Sequence, residues 1–299
     1  MDTAAAPELS YAAYFNDPLK RALVRAVERA TGQPKLARLY ERYRAGELGE
    51  TGFFDAAIRL LDLTIRFDEV RLAALPAEGP LVIVANHPFG VLDGLVISWL
   101  VGRRRQDFRV LTNSVLDAVP EAKPYLLPVD FAGTREAVAA NIAMRRAALA
   151  HVKGGGCVIV FPAGGVSTTP GPFDPLAVDD DWKPFTAKLI THGRAAVTPV
   201  FFEGQNSRLF QIASHLSLEL RLALVFREVR RRMGKTLTVG IGETLSPAML
   251  EAAGKRRNLM AFLRERTYGL APEGRALRYH AATARFMAKK PRVFRGPEG

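Results

Sequence analysis

Five short apolar runs, at 81–85, 108–112, 157–161, 196–202 and 236–241, constrain the fold of this chain more than any other feature. Each is short enough for a strand and rich in Val, Ile, Leu and Phe. Their apolar character is continuous rather than alternating, as expected of strands covered on both faces. Helical stretches near 134–150 and 182–192 can supply the crossovers that parallel strands need. The expected class is α/β, with a mostly parallel central sheet flanked by helices.

Before the first run, residues 17–67 read as helices. Asp17-Pro18 is a start signal, Leu19, Leu23, Val27 and Ala30 recur at helical spacing, and Gly32 stops the pattern. Leu36, Leu39, Tyr40 and Tyr43 line a second face, and Phe54, Ala57, Ile58, Leu61 and Ile65 a third. No repeat or Gly/Ser linker interrupts residues 81–245. The expected organisation is therefore a helical extension over 1–77, an α/β domain over 78–245, and a basic helical tail over 246–299 packed on the same domain. The end of that tail, 289–299, has almost nothing apolar to bury and is expected to be loose.

With 299 residues and 48% hydrophobic content the chain can bury a large core. A single cysteine, Cys157, excludes an internal disulfide and any CxxC chemistry, which favours a reducing, cytoplasmic setting. The N-terminus has no basic region leading into an apolar stretch, so a secretory signal is not expected. The longest apolar stretch, 95–101, is far below the roughly 20 residues that cross a bilayer. The net charge is +12, and 255–299 holds 12 Lys or Arg against Glu265, Glu273 and Glu298. Such a patch suits an anionic lipid surface or nucleic-acid phosphates alike.

The chemistry concentrates at 82–94, VIVANHPFGVLDG, where a strand ends in Asn86-His87, passes a Pro/Gly turn, and enters a helix near Asp93. The turn can fold Asp93 back to His87. A carboxylate on one ring nitrogen fixes the tautomer and supports the imidazolium, leaving the other nitrogen to take a proton from a hydroxyl. The same residues also fit a turn-capping histidine and a helix-capping aspartate. His151, His192, His215 and His280 have no acidic partner so framed. There is no Gly-x-Ser-x-Gly elbow, phosphate loop, His-Glu-x-x-His pair or dinucleotide fingerprint, so hydrolase, nucleotidase, zinc-protease and nicotinamide readings lose support.

The motif at 86–94, Asn-His-Pro-x-Gly-x-x-Asp-Gly, and the segment 161–167, FPAGGVS, resemble the glycerolipid acyltransferase family over about residues 78–245. That family includes lysophosphatidate acyltransferases and bacterial hemolysin-like and ornithine-lipid branches. Five residues, rather than the common four, separate His87 from Asp93, as in the hemolysin-like branch. The third family block is usually Phe-Pro-Glu-Gly; here Ala163 replaces the glutamate and Gly165 stands where the hemolysin-like branch carries one. The second block ends in arginine, but Phe131 holds that place, and Arg135 is the substitute for binding a phosphate or carboxylate. The fourth block resembles 197–200 and continues to Glu203, Asn206, Ser207 and Arg208, at the strand exit where α/β sheets gather ligands.

The resemblance implies an O-acyltransferase in membrane lipid biosynthesis, with His87 as base and Asp93 as its orienter. Its substrates would be a thioester donor, acyl-CoA or acyl carrier protein, and a lysolipid acceptor of the lysophospholipid or lyso-ornithine type. Asn86, Gly90, Arg135, Phe161, Pro162, Gly164, Gly165, Ser167, Glu203, Asn206 and Arg208 are the expected substrate contacts. The glycine turn would offer backbone N–H groups to an oxyanion and Ser167 and Thr168 hydroxyl donors, although glycine there also suits a plain tight turn. No metal or prosthetic group is expected. Amphipathic helices at 19–30 and 53–66, with the basic tail, would hold the protein to an anionic membrane surface on the cytoplasmic side of the inner membrane. The alternatives are a thioester hydrolase on the same fold, or a basic nucleic-acid binder using Arg227, Arg230, Arg231 and Arg232, for which stacking aromatics are sparse.

Overall fold

A computed structural model describes residues 10–15, 17–113, 119–130, 134–254 and 256–289. The expected strands form around one centre. In chain order the strands are β1 (Thr64–Arg66), β2 (Leu81–Ala85), β3 (Phe108–Asn113), β4 (Leu126–Val129), β5 (Cys157–Val160), β6 (Ala196–Phe202) and β7 (Thr236–Ile241). They make one sheet in the order β1-β7-β6-β2-β5-β3-β4. All pairings are parallel except β6 with β7. The fold is α/β, with a mostly parallel sheet.

β2 is the centre of that sheet, hydrogen-bonded to β5 on one side and β6 on the other. All five of its residues are fully buried, because helices cover both faces. Burying a Leu, Ile or Val contributes about 1.5–3 kcal/mol each, so this strand anchors the core. Ile83→Ala would leave a cavity costing about 2–5 kcal/mol.

Helices α1 (Pro18–Thr31), α2 (Gln33–Arg44), α3 (Phe53–Leu60) and α4 (Glu69–Ala73) precede β2. α5 (Val91–Gly102) follows it, α6 (Arg135–Lys153) joins β4 to β5, and α7 (Pro184–Gly193) joins β5 to β6. α8 (Arg208–Leu216), α9 (Leu218–Ala223) and α10 (Val225–Arg232) lie between β6 and β7. α11 (Pro247–Ala252), α12 (Arg257–Tyr268) and α13 (Ala276–Lys289) close the described chain. Asp17 caps α1 by accepting from the N–H groups of Leu19 and Lys20, as its Asp-Pro start suggested. Among the described residues, no helix is long and apolar enough to cross a membrane.

Three expectations need correction. The helix expected through Ile65 stops at Leu60, and 64–66 pairs with β7, so the N-terminal extension contributes a strand to the sheet. Its apolar face is core rather than an outward surface, since Ala56, Ile58 and Leu61 are buried. β7 is not a doubly covered parallel strand: it runs against β6 and its exposure alternates. The basic tail, by contrast, was expected to pack on the domain, and its Leu259, Leu263, Tyr268, Tyr279 and Phe286 are buried. Residues 290–299 and Phe131 lie outside the described residues.

Candidate active site

In a mostly parallel sheet the chain leaves neighbouring strands at the same edge, and here the exits of β2, β5 and β6 meet. Asn86 closes the end of β2 against β6. Its Nδ2 donates to the Phe202 carbonyl at 3.0 Å, and the Phe202 N–H donates back to Oδ1 at 2.7 Å. Expected as a substrate contact, Asn86 has its amide fully engaged in the sheet, and it fixes the path into His87.

The His87 ring lies against Phe161 at the exit of β5, with centroids 4.1 Å apart and planes 26° from parallel. Its side chain is 18% exposed, and Nδ1 stands 3.0 Å from Oδ2 of a fully buried Asp93. That is ion-pair distance, although the ring N–H is not in line for a full hydrogen bond; such contacts commonly tighten when substrate binds. Contact through Nδ1 leaves Nε2 for a substrate proton.

Asp93 holds its place because it is also a helix cap. Oδ2 accepts from the N–H groups of Phe89 at 2.8 Å and Gly90 at 3.0 Å at the start of α5. Asp93 thus both caps α5 and stands against His87, and capping is what aims it there. Gly90 makes the turn possible, with φ +77 and ψ −119, a region open to glycine alone. A Cβ there would also stand 3.2 Å from Val166. Burial pushes the Asp93 carboxyl above its ordinary value, against the opposing pull of His87 and the two amides. Its other oxygen, Oδ1, has no hydrogen-bond partner among the described residues.

Beside His87 runs the turn Phe161-Pro162-Ala163-Gly164-Gly165. The Gly164 N–H donates to the Phe161 carbonyl at 2.9 Å, and Gly164 has φ +73. The Pro162 carbonyl accepts from Lys183 at 2.8 Å. Two residues on, the Ser167 N–H donates to the His87 carbonyl at 2.8 Å, docking the turn on the segment that carries His87. The Ser167 hydroxyl is buried and donates to Oδ1 of Asp179 at 2.5 Å, so it is a structural donor here rather than a free one.

Asp179 is the residue that sequence reasoning missed. Fully buried, it accepts at Oδ1 from the His87 N–H at 3.1 Å as well as from Ser167, and at Oδ2 from Trp182 Nε1 at 2.9 Å. Its own N–H donates to Tyr268 Oη, and Arg264 donates to its carbonyl. It thereby ties His87, the 161–167 turn and α12 together. Nothing in an isolated Asp179-Asp180-Asp181-Trp182 run signals this.

Arg221 is a second omission. Its Nη2 donates to the Val166 carbonyl, and burial lowers its guanidinium to about 10. Arg232 lies 4.3 Å over the Phe89 ring and donates to the Gln205 carbonyl, behind the Asp93 turn.

Other expected contacts are placed elsewhere. Arg135 opens α6 after β4, with β5 and β3 between it and β2, about 15 Å across at strand spacing. Glu203 pairs with Arg275. Arg208 donates to the carbonyls of Phe173 and Asp174. Ser207 caps α8 and is held by Glu228, whereas Asn206 is buried with Oδ1 unpartnered. Of the arginines weighed for nucleic acid, Arg227 donates to Glu228, Arg230 to the Thr31 carbonyl, and Arg231 lies 4.0 Å from Glu228.

A ring nitrogen backed by a buried carboxylate, with a glycine turn alongside, is an arrangement that can serve acyl transfer to a hydroxyl. The model of an acyltransferase family matches residues 24–274. The chain belongs to that family, and the protein is an O-acyltransferase. Two curated relatives are lyso-glycine lipid O-acyltransferases. That of Phocaeicola vulgatus is 27% identical over 64% of this chain and 68% of its own length. That of Bacteroides thetaiotaomicron is 26% identical over 64% of this chain and 70% of its own. Among solved structures, PlsC, the 1-acyl-sn-glycerophosphate (LPA) acyltransferase of Thermotoga maritima, is similar at TM-score 0.48 and 16% identity. The match covers 84% of this chain and 87% of that one.

Proposed function

We propose that the protein moves a fatty acyl chain from a thioester, acyl-CoA or acyl carrier protein, to the free hydroxyl of a lysolipid. The observation that carries this reading is the Nδ1 contact of His87 with Asp93 at 3.0 Å, beside a glycine turn. Support for a lysolipid acceptor, of the amino-acid lipid type, comes from the activity named for the two curated relatives.

Nε2 of His87 takes the acceptor hydroxyl proton as its oxygen attacks the thioester carbonyl. Asp93 stabilises the imidazolium so formed. The Gly164 and Ser167 N–H groups are already donated, so the oxyanion falls to those of Gly165 and Val166. Collapse expels the donor thiolate, which regains the proton from His87 and leaves the new ester. The step as proposed calls on no metal or prosthetic group. The catalytic machinery falls within 78–245, and the setting is membrane lipid biosynthesis at the cytoplasmic face of the inner membrane.

The test is lipid mass spectrometry on the purified protein beside His87→Ala. Both are offered mixed lysophospholipids and lyso-aminolipids with labelled acyl-CoA and acyl carrier protein. A diacyl product lost in the variant supports the reading and names acceptor and donor. Free fatty acid alone would make the enzyme a thioester hydrolase, and undiminished product in His87→Ala would remove His87 as the base.

A further inference from the structure

The two glycines of the 161–167 turn stand there for different reasons. Gly164 has φ +73, in the left-handed region that favours glycine, whereas Gly165 has a negative φ that any residue adopts. Its φ does not call for glycine at 165. What the missing side chain leaves is space, and one cation faces it. A Cβ at 165 would stand 3.5 Å from Nη2 of Arg221, and apart from the chain neighbours nothing else lies within 4 Å among the described residues.

Arg221 projects from α9 and is fixed to the segment that borders His87. Its Nη2 donates to the Val166 carbonyl. Val166 lies against Gly90, in the turn that aims Asp93, and the next residue, Ser167, donates its N–H to the His87 carbonyl. Burial lowers the guanidinium to about 10, and the Asp180 carboxylate offsets that only in part. At neutral pH Arg221 is still charged, and a cation so desolvated gains more from an anion than a solvated arginine does.

The size of the space selects the anion. Gly165 stands where the hemolysin-like branch carries a glutamate. A glutamate side chain leaving the backbone 3.5 Å from Nη2 would answer Arg221 from within the chain. With glycine there, the same room admits a carboxylate carried by a ligand, and a guanidinium takes a planar carboxylate through paired N–H donors. Arg135, the arginine expected to bind a headgroup anion, opens α6 on the far side of β5 and β3.

We propose that Arg221, facing the open side of Gly165, binds a carboxylate on the headgroup of the acceptor, so that the substrate supplies the carboxylate the chain itself omits. This deepens the lysolipid reading and rests on it for the identity of the acceptor. The guanidinium offsets the headgroup charge, which then does not oppose an oxyanion held by the Gly165 and Val166 N–H groups. Arg221 meets the acceptor away from its hydroxyl, and it sets which acceptor binds.

The experiment reads binding apart from turnover. N-octanoylglycine and N-octanoylglycinamide differ in one charge and carry no hydroxyl to acylate; each is titrated calorimetrically into the full chain. The wild type should bind the acid roughly ten- to hundred-fold more tightly than the amide, as a charge-assisted pair provides. Arg221→Gln removes the cation and Gly165→Glu answers it from within, and each should bring that ratio close to one, while Arg221→Lys should keep part of it. Gly165→Glu, at a φ open to any residue, covers an Arg221→Gln chain that fails to fold. Equal affinity for acid and amide in the wild type overturns the proposal, as does a preference for the acid that survives in both variants. Octyl phosphate bound more tightly than the acid, and lost in Arg221→Gln, would overturn the carboxylate and make this a phosphate site. If the acid is preferred as stated and no lysolipid is acylated, the transferase reading fails and the site stands. If lyso-aminolipids are acylated while acid and amide bind alike, the site fails and that reading stands.

Discussion

The strands of this sheet carry a buried charged group at each end, and the two are finished differently. At the entry end, Arg105 precedes β3 with its side chain 2% exposed. Nε and Nη2 donate to Asp107, Nη1 to the carbonyls of Pro76 and Gly79, and Nη2 also to that of Gly155. Each guanidinium nitrogen is answered, and the group binds together the segments entering β2, β3 and β5. At the exit end, Asp93 keeps one oxygen unpartnered among the described residues and His87 meets the other off line. A group whose task is structural is saturated with partners. A group proposed to support a changing charge on its neighbour keeps hydrogen-bonding capacity unspent.

Variants at the two ends should separate accordingly. His87→Ala should lower turnover most, by about 10³–10⁴-fold, while leaving the melting temperature nearly unchanged. A comparable loss of stability would mean that His87 too is structural.

Asp93→Asn should cost turnover about 10²–10³-fold, since the amide cannot support an imidazolium. Its stability has a distinctive pH dependence. The folded carboxyl titrates above its ordinary value, so Asp93 detracts least below the unfolded value of 3.8 and most once pH exceeds the folded one. The Asn variant should therefore gain on wild type as pH rises through that window. Denaturant melts across acid to neutral pH will show this, and a constant difference would contradict the upward shift that burial imposes on the carboxyl.

Asp179→Asn is expected to fall between the two ends, because Asp179 acts on His87 through its backbone N–H. A loss of about ten-fold in kcat with KM nearly unchanged, and partial rescue by Asp179→Glu, would mark positioning. Arg105→Met should leave kcat of the folded enzyme intact yet cost about 1–3 kcal/mol of stability, because the carbonyls of Pro76, Gly79 and Gly155 lose their donor while Asp107, with its side chain 44% exposed, turns to water. Urea titration beside a turnover assay on the same sample reads both quantities.

Much of the fold was legible because it is local. The runs at 81–85, 157–161 and 196–202 are strands that only burial on both faces explains, and Asp17, Ser207 and Asp93 cap helices by rules that span three or four residues. β1 was missed because three residues, Thr64–Arg66, carry no period to detect. Their strand state is imposed by β7. The site divides in the same way. Pairing of His87 with Asp93 follows from a six-residue turn whose glycine has a single conformational use. Ser167, read as a free donor, is bound to a carboxylate that no nearby spacing implied.

By itself, then, the sequence determined the α/β class, the burial of its central strands, and the pairing of His87 with Asp93, since propensity, periodicity and one glycine act over a few bonds. Only the tertiary structure decided that Asp179, 92 residues away, would hold the His87 backbone. It alone reversed β7 and answered Arg105 from three separate loops. These depend on which surfaces meet, and that is set by the burial of the whole chain rather than by any segment of it.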